Sequence, residues 1–331
     1  MRRLVVALLL LAAAPGTGRA QAGHTEWVYY PGGFNWRFLR TYPDAARLFH
    51  AFDSGHAVLY ESLWRRPADA DAVLAREFRF LTQDLLRHPP RLGVAEEVIE
   101  PRYAKVAWRA KEAIDWAHVL HRQLYDLYSD ERLAAATRDS LVERVTDYYL
   151  ARTRVAFTTA PKSMALMDEQ PFSQRFKRTH PRFNGLIWAY HWLQVGLYEP
   201  LVAGRTAAER EAGVRAVLER FWWMLEDPDA RFPTVMPMTP AIAPAFTARH
   251  PRAAAIFDNL HMMHDIISDV LLDERIPRDA KGAEIDRQLA RFQDGSVDLM
   301  GDDHWKMMGD MMGGVHLMGG SAADLLPAAG R

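Results

Sequence analysis

An all-α fold, one single-domain multi-helix bundle, is what this chain predicts, and three observations predict it. Apolar residues recur three and four apart through one segment after another, the period of a helix with one buried face. Proline-containing steps punctuate those segments where helices end. No alternation of strand and helix patterns intervenes, no linker breaks the chain, and no repeat at a fixed period is evident. With 10 Trp, 11 Tyr and 15 Phe, a mature chain of about 300 residues can enclose a large core.

The first 22 residues read as a secretory leader. Met1-Arg2-Arg3 is basic, Leu4 to Ala14 is apolar, and Ala20-Gln21-Ala22 is a small-x-small site, with the cut placed after Ala22 and Ala20 second. The apolar run is too short to span a bilayer comfortably. The mature chain is therefore expected in the periplasm or secreted, with membrane association peripheral at most. Losing Arg2, Arg3 and Arg19 with no acid moves the formal charge from −1 to −4. An acidic balance argues against a nucleic-acid partner. The absence of Cys excludes disulfides, Cys-ligated zinc, iron–sulfur clusters and covalent c-type haem.

Residues 23–299 are assigned to the helical domain. It opens with an extended aromatic arm through Trp27, Tyr29, Tyr30, Phe34 and Trp36, turned by Pro31-Gly32-Gly33, with a short strand allowed. From Asp44 the helical period runs through Leu48, Phe49, Phe52, His56, Leu59 and Leu63, where Gly55 marks a break or a close approach. Asp69 to His88 follows, stopped by Pro89-Pro90. The spacing predicts further helices over 101–128, 132–158, 185–193, 206–225 and 277–292. The Pro-rich stretch from Arg231 to Ala245 reads as a loop able to fold over a pocket. Residues 300–331 form a flexible Met-rich tail, with six Met and two His before Gly319, expected to be dispensable for folding.

The candidate site lies on Phe257 to Leu272. Leu260, Met263, Ile267 and Val270 make the apolar stripe, and His261, His264 and Asp265 share one flank of it. Asp115, His118 and His121 repeat the arrangement, and Asp53 with His56 is a third, weaker copy. Residues three apart on facing helices can converge on one ion. The predicted ligands are Asp115, His118, His121, His261, His264, Asp265 and His56, and such a set suits iron, copper or zinc better than calcium or magnesium. The competing account makes these histidines buried side chains bonded to helix carboxylates, at about even odds. His191, between Tyr190 and Trp192, reads as a core residue satisfied by a backbone carbonyl. The Met/His tail can take up cuprous copper, although contact with a partner ranks ahead.

No His-Glu-x-x-His, Gly-x-Ser-x-Gly, phosphate loop or dinucleotide fingerprint occurs. The functional expectation is an exported helical metal-binding protein with an inter-helical His/Asp site and a redox or metal-handling role. The alternative is a non-enzymatic accessory subunit that docks its arm and tail on an envelope complex of electron transport. A non-covalent haem held by two of the histidines is the third reading.

Overall fold

The computed structural model describes residues 28–65 and 69–326, so the leader expectation for residues 1–22 falls outside it. Helices are the regular structure of the described residues, which hold no strand beyond a single antiparallel bridge between Lys162 and Leu299. The helices of ten residues or more are α1 (Pro43–Arg65), α2 (Ala70–Arg79), α3 (Trp108–Ser129), α4 (Ala135–Leu150), α5 (Pro181–Gly196), α6 (Ala207–Glu226), α7 (Pro251–Leu272), α8 (Lys281–Gln293) and α9 (Asp302–Met311). One hydrophobic core joins them, from Phe34 in the arm to Ala322 near the end. None is long and apolar enough to cross a membrane.

The molecule is organised around α7, which is buried from Ala253 to Leu272 and packs on α1, α3 and α8. A helix buried on every side, its polar groups paired or facing one another, stands in the centre of the bundle. α5 is buried from Phe183 to Gly196 for the same reason. Gly55 does not break α1. A Cβ there would stand 2.9 Å from the ring of Tyr190, so its role is the close approach of α1 to α5.

Four of these helices are built to one plan, at intervals that keep no fixed period. α1, α3, α5 and α7 each follow a short helix, respectively Arg37–Thr41, Tyr103–Val106, Arg175–Thr179 and Pro244–Arg249. A single residue, Tyr42, Ala107, His180 or His250, separates short from long helix, with φ from −127° to −134° and ψ from 48° to 63°. Five residues before each long helix stands a buried aromatic: Phe38, Tyr103, Phe176 or Phe246.

Eighteen residues after each start stands a carboxylate that accepts backbone N–H bonds from another short helix or its approach. Glu61 of α1 takes Arg102 and Tyr103, and Asp126 of α3 takes Trp36 and Phe38. Glu199, just past α5 in the short helix Tyr198–Ala203, takes Ala245 and Phe246, and Asp269 of α7 takes Gln174 and Phe176. The short helices thus have their first donors satisfied by side chains. The exchange is reciprocal within α1/α3 and within α5/α7, so the repeat is a duplicated pair. The four starts lie 65, 73 and 70 residues apart, and those unequal intervals conceal it from a search at fixed period.

The two ends depart from expectation. Among its described residues the arm forms no strand; from Val28 on it is laid on α3, where Gln123 bonds both the N–H and the carbonyl of Tyr30. Through residue 326 the tail is packed rather than a flexible strip. Trp305 and Met318 are buried, Trp305 donates to Asp258 at 2.6 Å, and the Gly320 carbonyl accepts from Trp192 at 2.7 Å. Its glycines serve turns, with φ of 99° at Gly313, 106° at Gly314 and 99° at Gly319. The Pro-rich stretch is no lid either. Met236, Met238 and Ile242 are buried, and Asp258 accepts from both the N–H and the hydroxyl of Thr239.

Candidate metal centre

The repeat dictates which side chains meet. Positions ten and thirteen residues after the start are one helical turn apart and share a face. They are Asp53 and His56 on α1, His118 and His121 on α3, His191 and Gln194 on α5, and His261 and His264 on α7. All eight are buried, the six imidazoles at 1% exposure or less, and the imidazoles gather against one another between the four helices.

Three rings converge most closely. His191 Nε2 lies 3.3 Å from His56 Nε2 and 3.0 Å from His264 Nδ1. One ligand atom from each of the three lies within 4.8 Å of the others. His56 and His264 stack with centroids 4.2 Å apart, and His261 stacks on His191 at the same separation. His118 stands 5.7 Å from His264, centroid to centroid, and His121 stands 6.0 Å from His261. His121 Nδ1 lies 2.9 Å from the Tyr198 hydroxyl, and its ring stacks on Phe257 at 3.5 Å.

Ring nitrogens here outnumber their partners. Both nitrogens of His118 and of His261, Nε2 of His121 and His264, and Nδ1 of His191 have no hydrogen-bond partner. A buried polar atom left so costs about 1–3 kcal/mol, and several together approach the whole stability of a domain. Such a cluster calls for a ligand that satisfies lone pairs. Burial pushes every one of these imidazoles down, to about 4 for His56 and about 3 for His261. For His56 the Phe52 carbonyl pulls weakly the other way. His118, His121, His191 and His264 are held well below the ordinary value by burial, then by neighbouring imidazoles. Neutral imidazole is the metal-binding form.

The carboxylates fall elsewhere than the sequence suggested. Asp265 accepts from Trp188 Nε1 at 2.8 Å, and burial raises its carboxyl to about 8. Asp115 pairs with Lys111 at 2.6 Å on the wall of an open cavity, apart from the converging triad. Asp53 and Glu96 were not among the expected ligands. They lie 3.2 and 3.7 Å from His118 Nδ1, and ligand atoms of the three fall within 4.8 Å of one another. Sequence reasoning also passed over His191, which sits at the centre of the triad instead of being capped by a carbonyl. The signal that finds it is its place ten residues into α5, matching His118 and His261.

Comparison of the chain with family models, with curated proteins and with solved structures returns no match. The reading below rests on this geometry.

Proposed function

We propose that the protein is a helical metalloprotein in which His56, His191 and His264 hold one transition ion, with a redox or metal-handling role. The convergence of three ring nitrogens from three helices at a buried, uncharged point carries this reading. Imidazole suits copper, iron and zinc. Three neutral ligands in an aromatic surround supply no compensating charge, and burying charge is costly. An ion that can be monovalent is therefore favoured, which places copper first. One-electron exchange at a site closed to water, or holding of the reduced ion, follows from that choice.

Export belongs to the same proposal, because a Cys-free copper site suits a compartment without a thiol buffer; N-terminal sequencing of cell-envelope material should begin at Gly23 or Gln21. The decisive measurement is elemental analysis and a visible spectrum of the purified full chain, beside His191→Ala. About one equivalent of metal or more, lost in the variant that still folds, is expected. A metal-free wild type after reloading with copper, zinc or iron overturns the proposal, and a Soret band would move it to haem.

A further inference from the structure

Near the triad, and separate from it, lies a second convergence of a different chemical kind. His118 Nδ1 of α3 faces Asp53 Oδ1 of α1 at 3.2 Å and Glu96 Oε1 at 3.7 Å. Glu96 opens a short helix, Glu96–Ile99, in the chain between α1 and α3. All three side chains are buried, with exposures of 2% for Asp53, 7% for Glu96 and 0% for His118. The approaches are close without the alignment of hydrogen bonds, so Asp53 Oδ1 and both nitrogens of His118 remain unpartnered. The Arg122 guanidinium holds the other oxygen of Asp53 and thereby aims Oδ1 at His118. That is the geometry of a ligand oriented by a neighbour.

This group has access to solvent. It lies against a cavity lined by His50, Leu92, Gly93, Glu97 and Asp115 among others, and Leu92 on its rim is 64% exposed.

We propose that Asp53, Glu96 and His118 form a second cation site, which takes a divalent first-row ion such as zinc, ferrous iron or manganese. Two carboxylate oxygens and one imidazole are a harder donor set than three imidazoles and supply the negative charge a divalent ion needs. Counting leads to the same place. A tetrahedral ion accepts four ligands, and six buried imidazoles with Asp53 exceed what one ion can satisfy. The His118 ring stands between the two groups, 5.7 Å from His264 and 6.1 Å from His56, so the second ion neighbours the first. Glu96 is the residue that makes the second site distinct, since it lies outside the repeated positions.

The test strips the full-length chain with a chelator and reloads it with zinc alone, or with cobalt(II) as a spectroscopic probe. Two equivalents are expected in the wild type at excess metal, the uncharged triad filling second. Glu96→Gln, close to isosteric, should retain one equivalent with the nitrogen-rich cobalt spectrum, and His191→Ala should retain one with the oxygen-rich spectrum. Circular dichroism verifies that each variant is folded, and Glu96→Asp serves if Glu96→Gln is not. One equivalent in the wild type, unaffected by Glu96→Gln, overturns the second site while leaving the triad intact. One equivalent lost with Glu96→Gln but kept in His191→Ala upholds the second site, and a further reloading with cuprous copper that adds no second equivalent then overturns the triad reading. No bound zinc or cobalt overturns the second site.

Discussion

His191 Nε2 faces His56 Nε2 at 3.3 Å across the α1–α5 contact while also standing 3.0 Å from His264 Nδ1. A neutral imidazole carries one N–H, which can point along only one of these two lines. If His191 Nε2 is the donor, it serves one neighbour; if it is bare, both neighbours must turn an N–H toward it. Turning all three lone pairs toward one cation removes the conflict. The triad is thus better matched to an ion than to any assignment of its own protons.

Binding should therefore register as stability. At a free-ion concentration about a hundredfold above Kd, linkage contributes about 2.7 kcal/mol. For a domain of this size that is a rise in Tm of roughly 5 °C or more. Copper added to the stripped protein should produce this shift in the wild type and not in His191→Ala. Equal shifts in both proteins would show that the ion binds elsewhere.

The α1–α5 approach should control the same shift from a distance. Gly55→Ala places a Cβ 2.9 Å from Tyr190, whose buried ring is stacked on Phe52 at 4.3 Å and has little room to yield. A loss of about 1–3 kcal/mol is expected from the overpacking, together with weaker metal binding, because His56 is the next residue. Gly301→Ala is the control, with nothing within 4 Å of the added atom. Metal affinity equal in the two variants would refute the link.

The cap at Glu199 should give stability a pH slope. Burial raises its carboxyl from the ordinary 4.5 to about 7, against the opposing pull of the Phe246 and Ala245 N–H groups. The folded chain keeps this proton where the unfolded chain has lost it. Its contribution is full below the unfolded value and is lost as pH rises through about 7. Glu199→Gln retains an acceptor for Ala245 and cannot titrate. Urea midpoints at about pH 5 and pH 8 should thus differ less in the variant than in the wild type. Identical differences would exclude Glu199 as a source of the slope.

Cutting the chain after Gly301 should cost far more than a frayed end would. It removes buried Trp305, Met308 and Met318 and leaves Asp258 without the Trp305 donor. Trp305→Ala alone should cost about 3–5 kcal/mol. A calorimetric Tm unchanged within two or three degrees would restore the picture of a dispensable tail.

The sequence made the bundle legible because apolar spacing reports which face of a helix is buried. That same signal brought forward His118, His121, His261 and His264, which repeat it in paired form. It hid His191, whose helix is apolar all round, so that no flank distinguishes a ligand from core. Glu96 was invisible because only tertiary folding carries its short helix to His118. The duplication was legible in part: Arg37-Phe38-x-Arg40-Thr41-x-Pro43 returns as Arg175-Phe176-x-Arg178-Thr179-x-Pro181. Its other two members keep the backbone angles and the cap with fewer of those letters, Arg102 in one and Phe246 and Pro251 in the other. The tail misled because glycines read as freedom are committed to left-handed turns.

The carboxylate exchange also bears on ancestry. Each exchange closes within a half, Glu61 with Asp126 and Glu199 with Asp269. A polypeptide of one half would own all its caps and still bare the imidazole-bearing side of two helices. A second copy would cover that side, so the fold has the form of two like helix pairs joined in one chain. Fusion frees equivalent positions to diverge, which an assembly of identical subunits cannot do. Asp53 opposite His191, and His56 opposite Gln194, are where the twins have parted.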